Sequence, residues 1–208
     1  MSQFVETRCS IESDGLRLEG AIHEGSADVV AVVLHPHPLY GGDLDNHVVI
    51  TLCRVLAEVG ATTLRFNFRG AGASDGDFDG GEGEGRDALA ALTYLRQQRP
   101  GARSVLAGYS FGAGVAAGIA GEARPDALVL VSLPPGMSSV RALPAGIPVL
   151  VITGDRDEIA PPAKLASLLS ADARLVTAPG VDHFWFPGLD FLSAEVRSFI
   201  GQQIPAVR

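Results

Sequence analysis

Short apolar runs rich in β-branched residues recur along the chain: Val29 to Leu34, Ala61 to Phe68, Ser104 to Gly108, Ala127 to Leu133, Pro148 to Thr153 and Arg174 to Ala178. They read as buried strands. Longer stretches with helical spacing lie between most of them, such as Val48, Leu52, Val55, Leu56 and Val59, then Ala88, Leu89, Leu92 and Leu95. Parallel strands need crossover connections, and these are usually helical, so the alternation predicts an α/β fold: a mostly parallel central sheet with helices on both faces. The start differs. Segments 4 to 12 and 16 to 24 flank Asp14-Gly15, a hairpin turn signal, so the sheet is expected to open with an antiparallel N-terminal hairpin.

With 208 residues the chain suits a single domain spanning 1–208, and no repeat or linker divides it. Its most loop-like segment runs from Gly70 to Gly85, after which Asp87 opens a helical pattern. The net charge of -8 opposes binding to nucleic acid and offers no basic anchor to an anionic membrane. Cys9 and Cys53 are far apart and in no metal or redox spacing, which argues against a disulfide framework and for a cytoplasmic setting. Neither an export signal nor a spanning helix is visible.

An open α/β sheet binds its ligand beyond the carboxyl ends of its strands. Gly108-Tyr109-Ser110-Phe111-Gly112 stands at such an end. In this Gly-x-Ser-x-Gly pattern a strained turn from strand to helix lifts the serine hydroxyl clear of the sheet, and larger side chains at the glycines would crowd it. The pattern alone is weak in a chain with 25 glycines, and Gly72-Ala73-Ser74-Asp75-Gly76 repeats it. Context separates the two. Ser110 follows the apolar run Val105 to Ala107 and precedes a Gly/Ala-rich stretch with the look of a helix, whereas Ser74 sits in the Gly/Asp loop and reads as a loop or capping serine.

A serine hydroxyl needs a positioned base, and histidine suits that task near neutral pH. When a serine of this kind is served by a triad, the acid and then the histidine follow it in chain order. His23, His35, His37 and His47 all precede Ser110, so only His183 qualifies. The acid must accept from the imidazole nitrogen that faces away from serine. Asp155 and Asp157 both stand beyond the run ending at Thr153, and either could serve. Asp182 is too close to His183 in sequence to reach that nitrogen easily, while Glu122, Asp126 and Asp172 lie near strand starts, at the wrong end of the sheet.

Together these features resemble the α/β-hydrolase superfamily, and the resemblance covers nearly the whole chain. Gly154-Asp155-Arg156-Asp157 with Pro161 four residues on is similar to the family's acid motif, which implies Asp157 as the acid. The run from Arg65 to Ser74 resembles a family loop whose usual role is structural. Acyl transfer develops charge on the carbonyl oxygen, which backbone N–H donors stabilise. Phe111, next after the nucleophile, would be one donor. The resemblance places the second in His35-Pro36-His37-Pro38-Leu39-Tyr40-Gly41-Gly42, where many relatives carry His-Gly at the start. Pro36 and Pro38 have no N–H, leaving His37 or Leu39, with His37 favoured. The run is also similar to one found in a subgroup of small lidless bacterial hydrolases.

His35, His37, Asp43, Asp45 and His47 cluster in sequence but match no familiar metal-site spacing, so no metal and no other cofactor is expected. Proline-restricted histidines that pack and hydrogen-bond to shape the loop are the simpler account.

The resemblance implies a serine hydrolase acting on a small-molecule acyl substrate through an acyl-enzyme, with carboxylic esters first and thioesters second. Acyl transfer, cofactor-free haloperoxidase chemistry or a non-catalytic binding role on the same fold are the alternatives. Only Pro134 to Ile147 separates two sheet strands where relatives insert a cap. The site is therefore expected to be open, walled by Tyr40, Tyr109, Phe184 and Trp185, and an open site grips a long chain weakly, which favours short acyl groups. Nothing in the sequence names an edge strand or an apolar patch that must pair with another copy.

Overall fold

The computed structural model describes residues 4–136, 143, 145–167, 169 and 173–204, so Asp172 lies outside the described residues. Among the described residues eight strands form one sheet in the order β1-β2-β4-β3-β5-β6-β7-β8. β1 (Thr7–Ser13) and β2 (Leu16–His23) make the expected hairpin, with Asp14 and Gly15 both at positive φ, 51° and 78°, as a tight two-residue connection requires. β2 also runs antiparallel to β4 (Thr62–Phe66). The rest of the sheet is parallel: β3 (Val29–Leu34), β5 (Arg103–Tyr109), β6 (Ala127–Val131), β7 (Val149–Gly154) and β8 (Ala173–Ala178). β3 to β7 are buried almost throughout.

The helices divide between the faces. α1 (His47–Glu58) and α5 (Leu189–Gln203) bury Leu52, Leu56, Val196 and Ile200 against one face, while α2 (Glu82–Gln98) and α3 (Phe111–Ala123) bury Leu92, Leu95, Ala116 and Ala120 against the other. The short α4 (Pro162–Ala166) adds Leu165 to the second layer. Residues 132–148 connect β6 to β7, and among the described residues no lid covers the sheet.

Strand order reverses between β3 and β5. From β3 the chain moves outward to β4, then crosses back through α2 to β5, so the loops after β3 and β5 diverge and leave a crevice at their carboxyl ends.

Three boundaries differ from the sequence expectation. α2 begins at Glu82, not near Asp87, because the Glu84 carboxylate accepts the N–H groups of Gly81 and Asp79 at 2.7 and 2.9 Å and caps the first turn. Gly83 and Gly85 are tolerated in that turn because side chains there would collide with Arg69 or press on Ile119. Asp87 instead lies inside the helix, fully buried, where it pairs with Arg69 at 2.8 Å and accepts the Ser13 hydroxyl. The ladder also stops before Phe68 and Leu133. Phe68 turns its N–H to the His35 ring, and Ser132 adopts φ 48°, which ends the extended run.

Candidate active site

Ser110 stands between β5 and α3 at φ 53° and ψ −117°, a conformation that costs a non-glycine residue about 1–3 kcal/mol. The flanking glycines permit it. A Cβ on Gly108 would lie 2.3 Å from the Gly112 carbonyl oxygen, and one on Gly112 would lie 2.4 Å from that of Leu34. Strand and helix backbones therefore meet where only hydrogen fits, and the serine is held up at the crevice.

The Ser110 hydroxyl lies 2.9 Å from His183 Nε2, and His183 Nδ1 lies 2.9 and 3.0 Å from the two Asp157 oxygens. All three side chains are nearly buried. Asp157 also accepts the N–H groups of Ile159 and Ala160 at 3.0 and 2.8 Å. Burial pushes its carboxyl up, but the bonds from His183, Ala160 and the Ser132 hydroxyl outweigh burial and hold it below the usual aspartate range. A carboxylate so held keeps His183 oriented with Nε2 toward the serine. Asp155 is occupied elsewhere, accepting the Gly180 N–H at 2.7 Å.

The loop carrying His183 is anchored from three sides. Tyr109 donates its hydroxyl to the His183 carbonyl at 2.7 Å, and burial raises the phenol's pKa, so it stays a donor. His47, at the start of α1, donates from Nε2 to the Phe184 carbonyl at 2.8 Å and stacks on Phe186. The third anchor corrects the sequence reading. Trp185 is fully buried and is not among the described residues that line the crevice beside Ser110; at φ 61° it turns its indole into the α5 layer, where Nε1 donates to Ser132 Oγ at 2.8 Å. The Ser132 hydroxyl that receives this bond also helps to hold the Asp157 carboxyl low, so Trp185 braces the acid end of the Asp157–His183–Ser110 line. Sequence reasoning misses Ser132; its only signal is its place just past a strand's carboxyl end.

Beside this chain lies the loop after β3. His35 is fully buried, and burial lowers its pKa to about 4, so the ring is neutral over the working pH range. Its Nε2 accepts the Phe68 N–H at 3.0 Å, so the proton sits on Nδ1, which donates to the Pro36 carbonyl at 2.6 Å. In a trans peptide C=O and N–H point in opposite directions. By gripping the Pro36 oxygen, His35 turns the His37 N–H of the same peptide away from itself, and that N–H donates to no other described residue. The Leu39 N–H, by contrast, points to His37 Nδ1 at 3.3 Å and begins a single 3-10 turn, Pro38–Tyr40. Tyr40 is almost wholly exposed at the rim. Among the described residues, no three His, Cys, Asp or Glu side chains converge as a metal site.

Ser74, in the second copy of the motif, has no histidine beside it. Its hydroxyl donates to the Asn67 carbonyl at 2.7 Å and accepts the Glu19 N–H at 2.9 Å, which ties the loop after β4 to β2.

A crevice of about 1120 Å³ takes in Ser110, His183, Phe184 and Ile159 and extends past His37 between α2 and α3, with Tyr40 and Tyr109 also on its walls. Phe78, Leu89, Val115 and Ile119 line its length. Two helices of the core, α2 and α3, form the walls of this stretch.

No family model matches the chain. It is 35% identical to uncharacterized protein RP471 of Rickettsia prowazekii, over 88% of this chain and 84% of that protein. XC6422 from Xanthomonas campestris, a lidless α/β serine hydrolase, superposes with a TM-score of 0.92 at 31% identity, covering 100% of this chain and 99% of the other. An α/β serine hydrolase homologue from Coxiella burnetii does so with a TM-score of 0.87 at 30% identity, over 95% and 99%. Among the described residues no helix is long and apolar enough to cross a membrane. With this sheet, no lid, and these relatives along almost its whole length, the chain belongs to the lidless α/β serine hydrolases.

Proposed function

We propose that the protein is an esterase that cleaves carboxylic esters of small molecules through an acyl-enzyme. The observation that carries this reading is the continuous contact from Ser110 Oγ through the His183 ring to Asp157. Ser110 attacks the ester carbonyl carbon while His183 Nε2 takes its proton, and Asp157 stabilises the imidazolium. The carbonyl oxygen gains charge and is held by the N–H groups of Phe111 and His37. As the carbon–oxygen bond to the alcohol breaks, His183 returns its proton to the departing oxygen. Water then adds to the acyl carbon under the same base, and the acid leaves.

His37 is preferred to Leu39 as the second donor because the Leu39 N–H is already directed at the His37 ring. The absence of a lid by itself favours short acyl groups, since a chain in open solvent gains nothing by burial; the groove beside Ser110 removes that ground.

A fluorophosphonate probe tests the reading. Wild type and Ser74→Ala are expected to label, and Ser110→Ala is not. Labelling that survives loss of Ser110 and disappears with Ser74 overturns the assignment.

A further inference from the structure

We infer that the groove between α2 and α3 is the acyl subsite, and that it selects esters of medium-length apolar acids. The inference rests on the esterase reading and adds the direction in which the substrate lies. An ester has two arms on either side of its carbonyl. Which arm enters the groove is decided by where the departing oxygen must be, because it has to meet the proton on His183 Nε2.

His183 reaches Ser110 from one side. Its loop follows β8, beyond β6 and β7, and its anchors are Trp185 in the α5 layer and His47 at the start of α1. The groove opens on the other side. α2 lies over β3, β4 and β1, α3 covers β5, β6 and β3, and both belong to the opposite face of the sheet from α1 and α5. With the alcohol oxygen against His183, the acyl arm is directed beneath the His37 loop and into the groove. The aromatic rings there leave one continuous apolar wall: His37 packs on Phe78 and Phe111 with ring centres 4.8 and 4.9 Å apart.

The chemistry of the wall sets the class of acid. Phe111, Phe78, Val115, Leu89 and Ile119 line the stretch between the helices, and the acidic and guanidinium side chains on the lining are Glu82, Arg86 and Glu122. A saturated or aryl-substituted chain is matched along that length. The whole crevice, which also takes in His183, Phe184 and Ile159, holds about 1120 Å³, and its stretch between α2 and α3 is lined along Leu89, Val115 and Ile119, farther than an acetyl group extends. Each methylene that leaves water for this wall is worth up to about fourfold in kcat/KM, the equivalent of about 0.8 kcal/mol.

The test is a series of p-nitrophenyl esters from acetyl to dodecanoyl with the wild-type protein, run beside acetate esters of the matching alcohols. kcat/KM is expected to climb through butyryl and hexanoyl to about octanoyl in the acyl series and to stay nearly level in the alcohol series. Ile119→Trp and Leu89→Trp replace partly exposed side chains and fill the groove. Each is expected to lower the octanoyl-to-acetyl ratio of kcat/KM at least about tenfold, a ratio unaffected by the fraction of folded enzyme. A flat acyl profile, or one that favours acetyl, overturns the subsite, and a rise confined to the alcohol series overturns its direction. Fluorophosphonate labelling separates these failures from a deeper one. If Ser110 labels while the acyl profile is flat, the groove assignment fails and the serine hydrolase reading stands; if Ser110 does not label, both fall.

Discussion

The chain writes Gly-x-Ser-x-Gly twice and builds two different objects from it. Around Ser110 the glycines are required because strand and helix backbones nearly touch, and neither Gly108 nor Gly112 has a positive φ. Around Ser74 they are required because the loop turns: Gly72 and Gly76 have φ 55° and 81°. The first arrangement leaves its serine strained and beside an imidazole; the second leaves its serine with two backbone partners. The same five-residue pattern therefore carries chemistry in one place and tethering in the other, and the neighbours decide which.

The comparison breaks most sharply at the serines. Ser110→Ala is expected to reduce ester turnover by about 10^5-fold or more, and Ser74→Ala to leave kcat within about twofold. Comparable losses from both changes, measured as kcat on one ester, would end the distinction. The two aspartates after β7 extend it. Asp157→Asn, which keeps the shape but reverses the hydrogen-bond demand on His183, should cost about 10^4-fold, whereas Asp155→Asn touches only the Gly180 turn and should cost less than about tenfold.

His35 tests whether the loop after β3 matters by position. Gln at residue 35 can still accept the Phe68 N–H but cannot reach the Pro36 carbonyl; Asn can donate to Pro36 but leaves Phe68 unpaired. If the grip on Pro36 orients the oxyanion donor, His35→Gln loses roughly 10- to 100-fold in kcat with little change in KM, and His35→Asn retains more. The opposite ranking would assign His35 to holding Phe68 alone.

Stability effects are smaller. Ser74→Ala leaves the Glu19 N–H without its partner and should destabilise by about 1–2 kcal/mol in urea with unchanged m-value. For His35 the folded pKa of about 4 lies below the ordinary 6.5, so between these values the unfolded chain binds a proton that the folded chain does not. Its contribution is complete above about pH 6.5 and is lost as pH falls toward about 4, on the order of 3 kcal/mol. Urea midpoints at about pH 7 and about pH 4.5 should therefore differ more for wild type than for His35→Asn; parallel losses would remove His35 as the cause.

Much of this was legible in residue order. Buried parallel strands advertise themselves as β-branched runs, and the β1–β2 turn as Asp14-Gly15, because both are local consequences of side-chain shape and backbone sterics. The start of α2 was not legible, since glycines at 83 and 85 hide a helix that Arg69 and Ile119 accommodate only from other elements. Trp185 was misread for a related reason. A tryptophan two residues from a site histidine suggests a wall, and only the φ of 61° and the Ser132 hydroxyl waiting in the core turn it inward.

By itself the sequence determined the alternation of strand and helix, the hairpin, and which residue types stand beyond which strand ends. These follow from periodicity and turn chemistry, which act over a few residues. The tertiary structure decided the rest: that Ser110, His183 and Asp157 come within hydrogen-bond reach while Asp155 turns to Gly180, that Trp185 faces the core, and that α2 and α3 stand apart enough to leave a groove. Hydrogen bonds reach about 3 Å, and the residues joined here are 26 to 73 positions apart. Only the order and twist of the sheet bring them within that reach.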